Sequence, residues 1–198
     1  LAPEKNLEFL IRSFAGVSQI IPNVYLLIIG GGQKQFEDEL KPLPSRMGIG
    51  DRVRFVGMIP YDKLPSHLAM CDAFVTASVT EVHPLSVIEA MGAGLPVLGI
   101  DSPGVGDSIL DCETGLLATN DLASFTARLT YLCMDAAQRK IMGSAAREAS
   151  EQYDIERTTK VMLQHYTRLT ENPKPAKRRF DERLRHICNS GRGFIYAV

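Results

Sequence analysis

The sequence predicts an α/β domain in which an open parallel sheet carries helices on both faces. Over the first 120 residues, short apolar runs alternate with stretches of helical periodicity, the pattern of repeated strand–helix units. The runs are apolar along most of their length, as strands buried on both faces are. After residue 121 the periodicity is helical, so we expect a helical end to cover the sheet. The strands are predicted at 24–29, 53–56, 73–77, 97–100 and 114–118.

The first predicted element is a helix and not a strand. Its apolar residues recur at helical spacing, and a doubly wound, Rossmann-like sheet normally opens with a strand that leads into such a helix. We therefore expect that the chain begins just after its first strand. The residues that carry the periodicity are Leu7, Leu10, Ile11, Phe14 and Ala15.

The later helices are predicted from periodicity and from their end signals. Pro42 and Pro44 should end or kink the helix that precedes them. Asp121 and Asp135 are expected to cap the helices that follow them. Residues 101–107 are rich in turn formers and are predicted to be a loop. The predicted helices cover 33–41, 61–71, 84–91, 122–134, 136–153 and 155–170.

The stretch 80–96 is predicted to form a binding site at the start of a helix, directly after a buried strand. Pro84 stands where the first helical residue is expected, because its missing N–H costs nothing there. Gly92 and Gly94 are the expected end of this helix.

This geometry should leave the backbone amides of Leu85, Ser86 and Val87 without acceptors, where the helix dipole favours an anion such as phosphate. Glu81 and Glu89 lie on either side of this helix start. A partly buried carboxylate needs donors, and sugar hydroxyls supply them. The pattern thus predicts a ligand that is part phosphate and part polyol. The alternative is that Glu89 pairs with an arginine and Glu81 is only solvated.

Two further positions are candidates for the same site. Lys5 is predicted near the carboxyl end of the missing strand, where open α/β sheets bind ligands; alternatively it is a solvated lysine. The run Gly30–Gly32 follows the first predicted strand and would allow a ligand to approach the backbone, although a tight turn explains it equally well.

Composition excludes several function classes. The net charge is −1 with pI about 6.5, so we expect no nucleic-acid partner. The four cysteines (71, 112, 133 and 188) form no CxxC pair, so neither a zinc site nor a disulfide framework is predicted. No apolar run approaches the roughly 20 residues that a membrane-spanning helix needs. We predict a boundary after residue 172, with 1–172 as the ligand-binding domain and 173–198 as a basic extension or linker.

The spacing Glu81-x7-Glu89, followed by Ala-Met-Gly-Ala-Gly-Leu-Pro-Val, resembles the donor-binding signature of family 4 retaining glycosyltransferases. Further segments resemble the same family over about residues 1–170. They are Leu1–Asn6, Ile28–Gly32, Val53–Gly57, Asp107 and Asp111–Leu117.

The resemblance implies the C-terminal, nucleotide-sugar-binding half of a two-domain GT-B enzyme. It implies that Lys5 binds the donor diphosphate, Glu81 the hydroxyls of the donor sugar and Glu89 those of the ribose. Lys5 and Glu81 are the expected catalytic residues. The other donor-binding residues that it implies are Gly31, Val56, Gly57, Met58, His83, Pro84, Leu85 and Ser86.

The resemblance also implies the reaction. A hexosyl group would move from a nucleotide-diphosphate sugar to an acceptor hydroxyl with retention, without a metal or other cofactor. The acceptor, a sugar or a lipid-linked molecule, would bind an N-terminal domain of the same polypeptide, so this chain alone is expected to be inactive. The expected location is the cytoplasm, and a peripheral contact would place the protein at the inner face of the membrane.

One segment departs from the family pattern. Where the family often has Gly-Phe-Gly, this chain has Val82-His83-Pro84. His83 would donate a hydrogen bond to the sugar or phosphate, or would only neighbour the helix start. Two other function classes stay open: a sugar-nucleotide epimerase of the same architecture, and a non-catalytic nucleotide-binding α/β module.

Overall fold

The computed structural model describes residues 2–171. Its contacts divide the chain into two compact units, with the division between Tyr153 and Asp154. The first unit contains all the strands of the described residues. The second contains one described helix, α9 (Ile155–Glu171). The predicted boundary at residue 172 and the extension 173–198 lie outside the described residues.

The five predicted strands are present and all of them pair in parallel. The strand β1 pairs with β2, and β4 lies between β3 and β5, so the described residues form a pair and a triplet of strands. The predicted parallel α/β architecture is confirmed. The bounds are β1 (Leu26–Ile29), β2 (Val53–Gly57), β3 (Phe74–Thr76), β4 (Val97–Ile100) and β5 (Gly115–Ala118).

The helices of the first unit alternate with these strands, and two long helices close the unit. Their bounds are α1 (Leu7–Ile20), α2 (Lys34–Leu40), α3 (Leu43–Arg46), α4 (Leu64–Ala69), α5 (Leu85–Gly92), α6 (Val105–Ser108), α7 (Leu122–Met134) and α8 (Ala136–Ser150). Short 3₁₀ turns cover Pro3–Lys5, Tyr61–Lys63 and Glu151–Tyr153.

Strand β4 shows why the sheet has helices on both faces. Leu98 and Ile100 are buried in a core that includes α1 and α7, whereas Val97 is buried in a second core with α5 and α6. Successive side chains of a strand point to opposite faces, so a fully apolar strand needs a core on each side. All residues of β4 are buried, as its sequence predicted.

The N-caps predicted for α7 and α8 are confirmed. The Asp121 carboxylate accepts a hydrogen bond from Ser124 N–H at 2.9 Å, and Asp135 accepts one from Gln138 N–H at 2.9 Å. Each bond satisfies an amide that the first helical turn leaves without a partner. The second unit repeats this device, because Asp154 accepts from the amides of both Glu156 and Arg157.

Three predicted elements differ from the structure. The segment 101–107 was expected to be a loop, but α6 begins at Val105, after Gly104 with φ of 82°. The helix predicted at 61–71 consists of a 3₁₀ turn followed by α4. The helix predicted at 136–153 ends at Ser150, where a 3₁₀ turn continues the chain. Within residues 2–171, no helix has the length and apolar character needed to cross a membrane.

Candidate functional site

The loop between β3 and α5 is held from two sides. Val79 N–H donates to the carbonyl of Glu4 at 3.2 Å, which ties the loop to the 3₁₀ turn that begins the described chain. On the other side, Glu81 N–H donates to the carbonyl of Pro103 at 3.1 Å. The candidate site is therefore assembled from three segments that are far apart in sequence.

Gly104 is a component of this site that the sequence prediction did not assign. Its φ is 82°, and a Cβ atom at this position would lie 2.2 Å from the Glu81 carbonyl oxygen. Next to it, Ser102 Oγ donates to the Ser78 carbonyl at 3.0 Å. The sequence signal was the turn-forming run Ser102-Pro103-Gly104, but only the fold shows that it supports Glu81.

Lys5 and Glu81, two predicted site residues, form an ion pair through Lys5 Nζ and Glu81 Oε1. The lysine side chain is 42% exposed and the glutamate side chain is 18% exposed. The alternatives that left each of them merely solvated are therefore wrong. The pair places one cation and one anion beside the start of α5. The two charges neutralise each other, and a ligand that binds there can contact both side chains.

Glu89 is half-buried on α5 and accepts a hydrogen bond from the Tyr61 hydroxyl at 2.7 Å. Its partner is thus a tyrosine, and among residues 2–171 no arginine pairs with it, contrary to the alternative. The pKa of the Tyr61 phenol lies above its usual value because the hydroxyl donates to Glu89, whose charge also opposes ionisation. This bond joins the loop after β2 to the helix after β3.

The start of α5 differs from the predicted geometry. The helix begins at Leu85, and Pro84 is its buried N-cap with ψ of 77°, not its first residue. Leu85 N–H donates to the His83 carbonyl and Val87 N–H to the Pro84 carbonyl, both at 2.9 Å. Of the three amides expected to be available, only that of Ser86 lacks an acceptor among residues 2–171. The amides of Leu85 and Val87 are both used by hydrogen bonds within the tight turn at Pro84.

His83 is exposed at the rim of the loop, and its ring meets that of Tyr153 edge-on. The ring centroids are 6.0 Å apart and the ring planes are inclined by 64°. Edge-to-face contact is a favoured arrangement of aromatic rings. The imidazole is therefore oriented by a residue at the end of the 3₁₀ turn that follows α8.

The four site residues predicted at the ends of β1 and β2 lie at the same edge of this strand pair. Gly30 N–H donates to the Gly57 carbonyl at 2.9 Å, and Gly31 N–H lies 3.1 Å from Met58 Sδ. A Cβ atom on Gly31 would be 2.9 Å from Met58 Cγ, so the Met58 side chain would have to shift to admit any larger residue. Val56 and Met58 are both exposed here, which leaves an apolar surface at the ends of β1 and β2.

A separate open cavity of about 470 Å³ lies between β5, α7 and α8. Cys112, Leu116, Arg128, Tyr131 and Met142 are among its lining residues, and none of the predicted site residues lines it. Arg128 is ion-paired there with Asp111 at 3.3 Å. Within residues 2–171, no three histidine, cysteine, aspartate or glutamate side chains are grouped as a metal site would require.

Comparison with known proteins gives the family of the chain. Residues 1–149 match the family model described as "Glycosyl transferases group 1". The chain is 31% identical over 155 residues to the GDP-mannose-dependent alpha-(1-6)-phosphatidylinositol monomannoside mannosyltransferase of Mycolicibacterium smegmatis, covering 74% of this chain and 40% of that protein. It is 32% identical over 169 residues to sulfoquinovosyl transferase SQD2 of Arabidopsis thaliana, covering 83% of this chain and 31% of that protein.

Solved structures show the same fold. The sucrose-phosphate synthase of Thermosynechococcus elongatus superposes with a TM-score of 0.78 at 28% identity, covering 86% of this chain and 43% of that one. Anabaena HepE, crystallised with UDP and glucose, gives a TM-score of 0.77 at 24% identity, covering 85% of this chain and 46% of that one.

The chain spans less than half the length of each of these four proteins. The family model nevertheless includes Lys5, Glu81, Glu89 and the whole start of α5, so the match covers the candidate site as well as the sheet. This chain belongs to the glycosyl transferases group 1 family.

Proposed function

We propose that this chain is the donor-binding domain of a retaining glycosyltransferase, which takes a hexosyl group from a nucleotide-diphosphate sugar. The observation that carries the proposal is the meeting of Lys5 and Glu81 beside the start of α5. The two side chains are 76 positions apart, yet they form a cation and an anion side by side. A sugar diphosphate needs both, a cation for phosphate and a hydrogen-bond acceptor for hydroxyl groups.

In this proposal Lys5 and Glu81 change partners when the donor binds. The Lys5 ammonium turns to the diphosphate, which carries more negative charge than one carboxylate. Glu81 is then available to accept hydrogen bonds from the sugar hydroxyls. The amide of Ser86 and the side chain of His83 are the remaining donors at this position. Pro84 and Leu85 shape the turn that presents them.

The nucleoside is assigned to the other end of the site. Glu89 accepts from the ribose hydroxyls, and the base lies near Val56, Gly57 and Met58, where exposed apolar side chains offer a surface for an aromatic ring. Gly31 borders this region because it contacts Met58. Tyr61 connects the two parts, since its hydroxyl reaches Glu89 from the loop after β2.

The chemistry that this arrangement favours is departure of the nucleoside diphosphate with its charge stabilised by the protein. Lys5, the Ser86 amide and the dipole of α5 supply positive potential at that position. No metal or other cofactor is required by the proposal, because these groups can take the part of a divalent cation. The Glu81-x7-Glu89 spacing and the retaining outcome rest on the family resemblance.

The acceptor is assigned to an N-terminal domain of the same polypeptide, so we propose that the described domain does not transfer sugar alone. The donor-site rim carries two exposed apolar side chains, Val82 and Leu85. An apolar rim suits a lipid-linked acceptor and a peripheral contact at the cytoplasmic face of a membrane. The Mycolicibacterium relative, named for a phosphatidylinositol monomannoside, supports the same acceptor class. A soluble sugar acceptor is the other option.

The experiment that tests this function is a binding panel of UDP, GDP, ADP and their common sugar conjugates, measured by calorimetry and by thermal shift. One nucleotide diphosphate should bind selectively, and Glu89→Ala should abolish that binding. Glu113→Ala is the matched control, because Glu113 is exposed before the amino end of β5, away from the ligand-binding edge. If a folded protein binds none of these compounds at millimolar concentration, the proposal is wrong.

A further inference from the structure

Tyr61 makes a contact that its exposure does not explain. The residue lies in the 3₁₀ turn after β2 and is 77% exposed. Water could therefore hydrogen-bond to its hydroxyl without any loss of side-chain conformational entropy. The hydroxyl instead donates to Glu89 Oε1 at 2.7 Å, across 28 positions of the chain. An ordered contact of this length at the surface indicates that the two residues belong to one site.

In this contact only one of the two Glu89 carboxylate oxygens accepts a hydrogen bond. An ionised carboxylate has two oxygens with about four acceptor sites in all. Tyr61 occupies one of them on Oε1, and Oε2 has no hydrogen-bond partner among residues 2–171. Glu89 is therefore held in one orientation by the phenol while its second oxygen is available to a ligand.

The ring of Tyr61 is close in sequence to other exposed apolar side chains. Met58 is 78% exposed and lies three positions before Tyr61, at the end of the strand that carries Val56. Val56, Met58 and the ring of Tyr61 are thus exposed apolar groups close together in sequence, from the end of β2 to the 3₁₀ turn. A nucleoside lying across this surface would meet Glu89 with its ribose.

We propose that Tyr61 is a positioning residue of the donor site: its hydroxyl orients Glu89 so that Oε2 accepts a hydrogen bond from a ribose hydroxyl of the donor. The inference rests on the proposed function, and it adds a residue and a selectivity. The site distinguishes a ribonucleotide from its deoxy form through Glu89, and the strength of that distinction depends on Tyr61.

The physical reason is the freedom of the glutamate side chain. Without a partner, a half-buried glutamate samples several rotamers, and a ribose hydroxyl must select one of them at a cost in entropy. With Tyr61 in place, that cost is met before the ligand arrives, which is the principle of preorganisation. Removing the hydroxyl should therefore weaken binding only of ligands that use Glu89.

The test compares the affinities of UDP, GDP and ADP with those of their 2′-deoxy and 3′-deoxy forms, for the 198-residue chain and its Tyr61→Phe variant. Phenylalanine keeps the ring and removes only the hydroxyl. The ratio of ribo to deoxy affinity should fall about three- to tenfold, the usual worth of one hydrogen bond, with the deoxy affinity unchanged. In the Glu89→Gln background, Tyr61→Phe should cause no further fall in this ratio, because Tyr61 acts only through Glu89. Tyr25→Phe, another exposed tyrosine, is the matched control.

A second measurement examines the contact without any ligand. Ultraviolet absorbance follows ionisation of the phenols, and the difference between the wild-type and Tyr61→Phe curves isolates Tyr61. It should ionise above the ordinary range in the wild type and return to that range in Glu89→Gln. A Tyr61 that ionises identically in both backgrounds would overturn the inference.

The outcomes separate this inference from the proposed function. If the wild type binds one nucleotide and Glu89→Ala abolishes it, while Tyr61→Phe keeps the full ribo-to-deoxy ratio, the donor site stands and the role of Tyr61 is refuted. An equal fall for the ribo and deoxy forms refutes it as well, because the hydroxyl then acts elsewhere than through the ribose. If no nucleotide binds the wild type, both proposals fall.

Discussion

Lys5 precedes α1 and Glu81 follows β3, yet the fold joins their side chains in an ion pair beside the start of α5. The pair is partly exposed, so its contribution to stability is small. Its value lies in position, since it keeps a cation next to the helix start where a diphosphate is expected.

Replacement of Lys5 by alanine should weaken binding of the nucleoside diphosphate about tenfold, because one charge-assisted contact to phosphate is lost. The affinity of the variant should also depend less on salt concentration than that of the wild type. Calorimetry at two salt concentrations measures both effects. Lys140→Ala on α8 is the control, since Lys140 is exposed outside the site. Unchanged affinity in Lys5→Ala would exclude it from the diphosphate contact.

Replacement of Glu81 by glutamine should act on the sugar and not on the nucleotide. The amide cannot accept as many hydrogen bonds from hydroxyl groups, and it releases Lys5 from its carboxylate. We expect the nucleotide-sugar to lose affinity while the free nucleoside diphosphate binds equally well or better. Competition between the two ligands measures the ratio directly. A parallel loss for both ligands would place Glu81 elsewhere than at the sugar.

Replacement of Gly104 by alanine should destabilise the protein by about 2 kcal/mol or more, because the new Cβ would overlap the Glu81 carbonyl in addition to straining a positive φ. Gly48→Ala is a close control: Gly48 also has a positive φ, of 73°, but no atom lies within 4 Å of the added Cβ. That variant should lose about 1 kcal/mol. Urea unfolding gives both values, and equal losses would show that the contact with Glu81 does not matter.

Alanine substitutions at two glycines near the contact between α8 and α5 should change the free energy of unfolding in opposite directions. A Cβ on Gly143 would lie 2.2 Å from the Gly94 carbonyl oxygen, so Gly143→Ala should separate the helices and cost about 2 kcal/mol or more. A Cβ on Gly92 would meet only Ser150 Oγ at 3.7 Å. Gly92→Ala should instead stabilise α5 by about 0.5–1 kcal/mol. Thermal unfolding of both variants distinguishes close packing from helix propensity.

The loop at Gly32 should become less stable in acid. The pKa of Glu37 lies below its usual value because its carboxylate accepts from Lys41, at 2.6 Å, and from Gly32 N–H, at 2.8 Å. A lowered pKa means that the unfolded chain binds the proton more readily, so this stabilisation is present above the unfolded pKa of 4.5 and is lost as pH falls through the folded value.

Urea unfolding across this pH range should therefore show a smaller loss of stability in acid for Glu37→Gln than for the wild type. Glu39→Gln, an exposed position on the same helix, should follow the wild-type curve. If the Glu37 and Glu39 variants have the same pH dependence, the Glu37 contacts do not persist in solution.

Much of the fold could be predicted because its signals are local. Strand β4 was predicted with its observed bounds since four consecutive apolar residues need burial on two faces. Asp121 was predicted as a cap because its carboxylate reaches an amide three residues ahead. Pro84 was misplaced by one position: a proline suits both the first helical residue and the cap, and the choice depends on the turn made by the His83 carbonyl.

The sequence by itself determined the order of the strands and of the helices other than α3 and α6, the caps of α7 and α8, and the presence of two carboxylates at the start of α5, because periodicity and spacing act over a few residues. The tertiary structure alone decided the partners: Lys5 for Glu81, Tyr61 for Glu89, and Gly104 against the Glu81 backbone. Such pairs depend on how distant segments pack, and many residues with the same local pattern could have occupied those places. The residues of the site could therefore be predicted from the sequence, whereas the contacts between them depend on the tertiary fold.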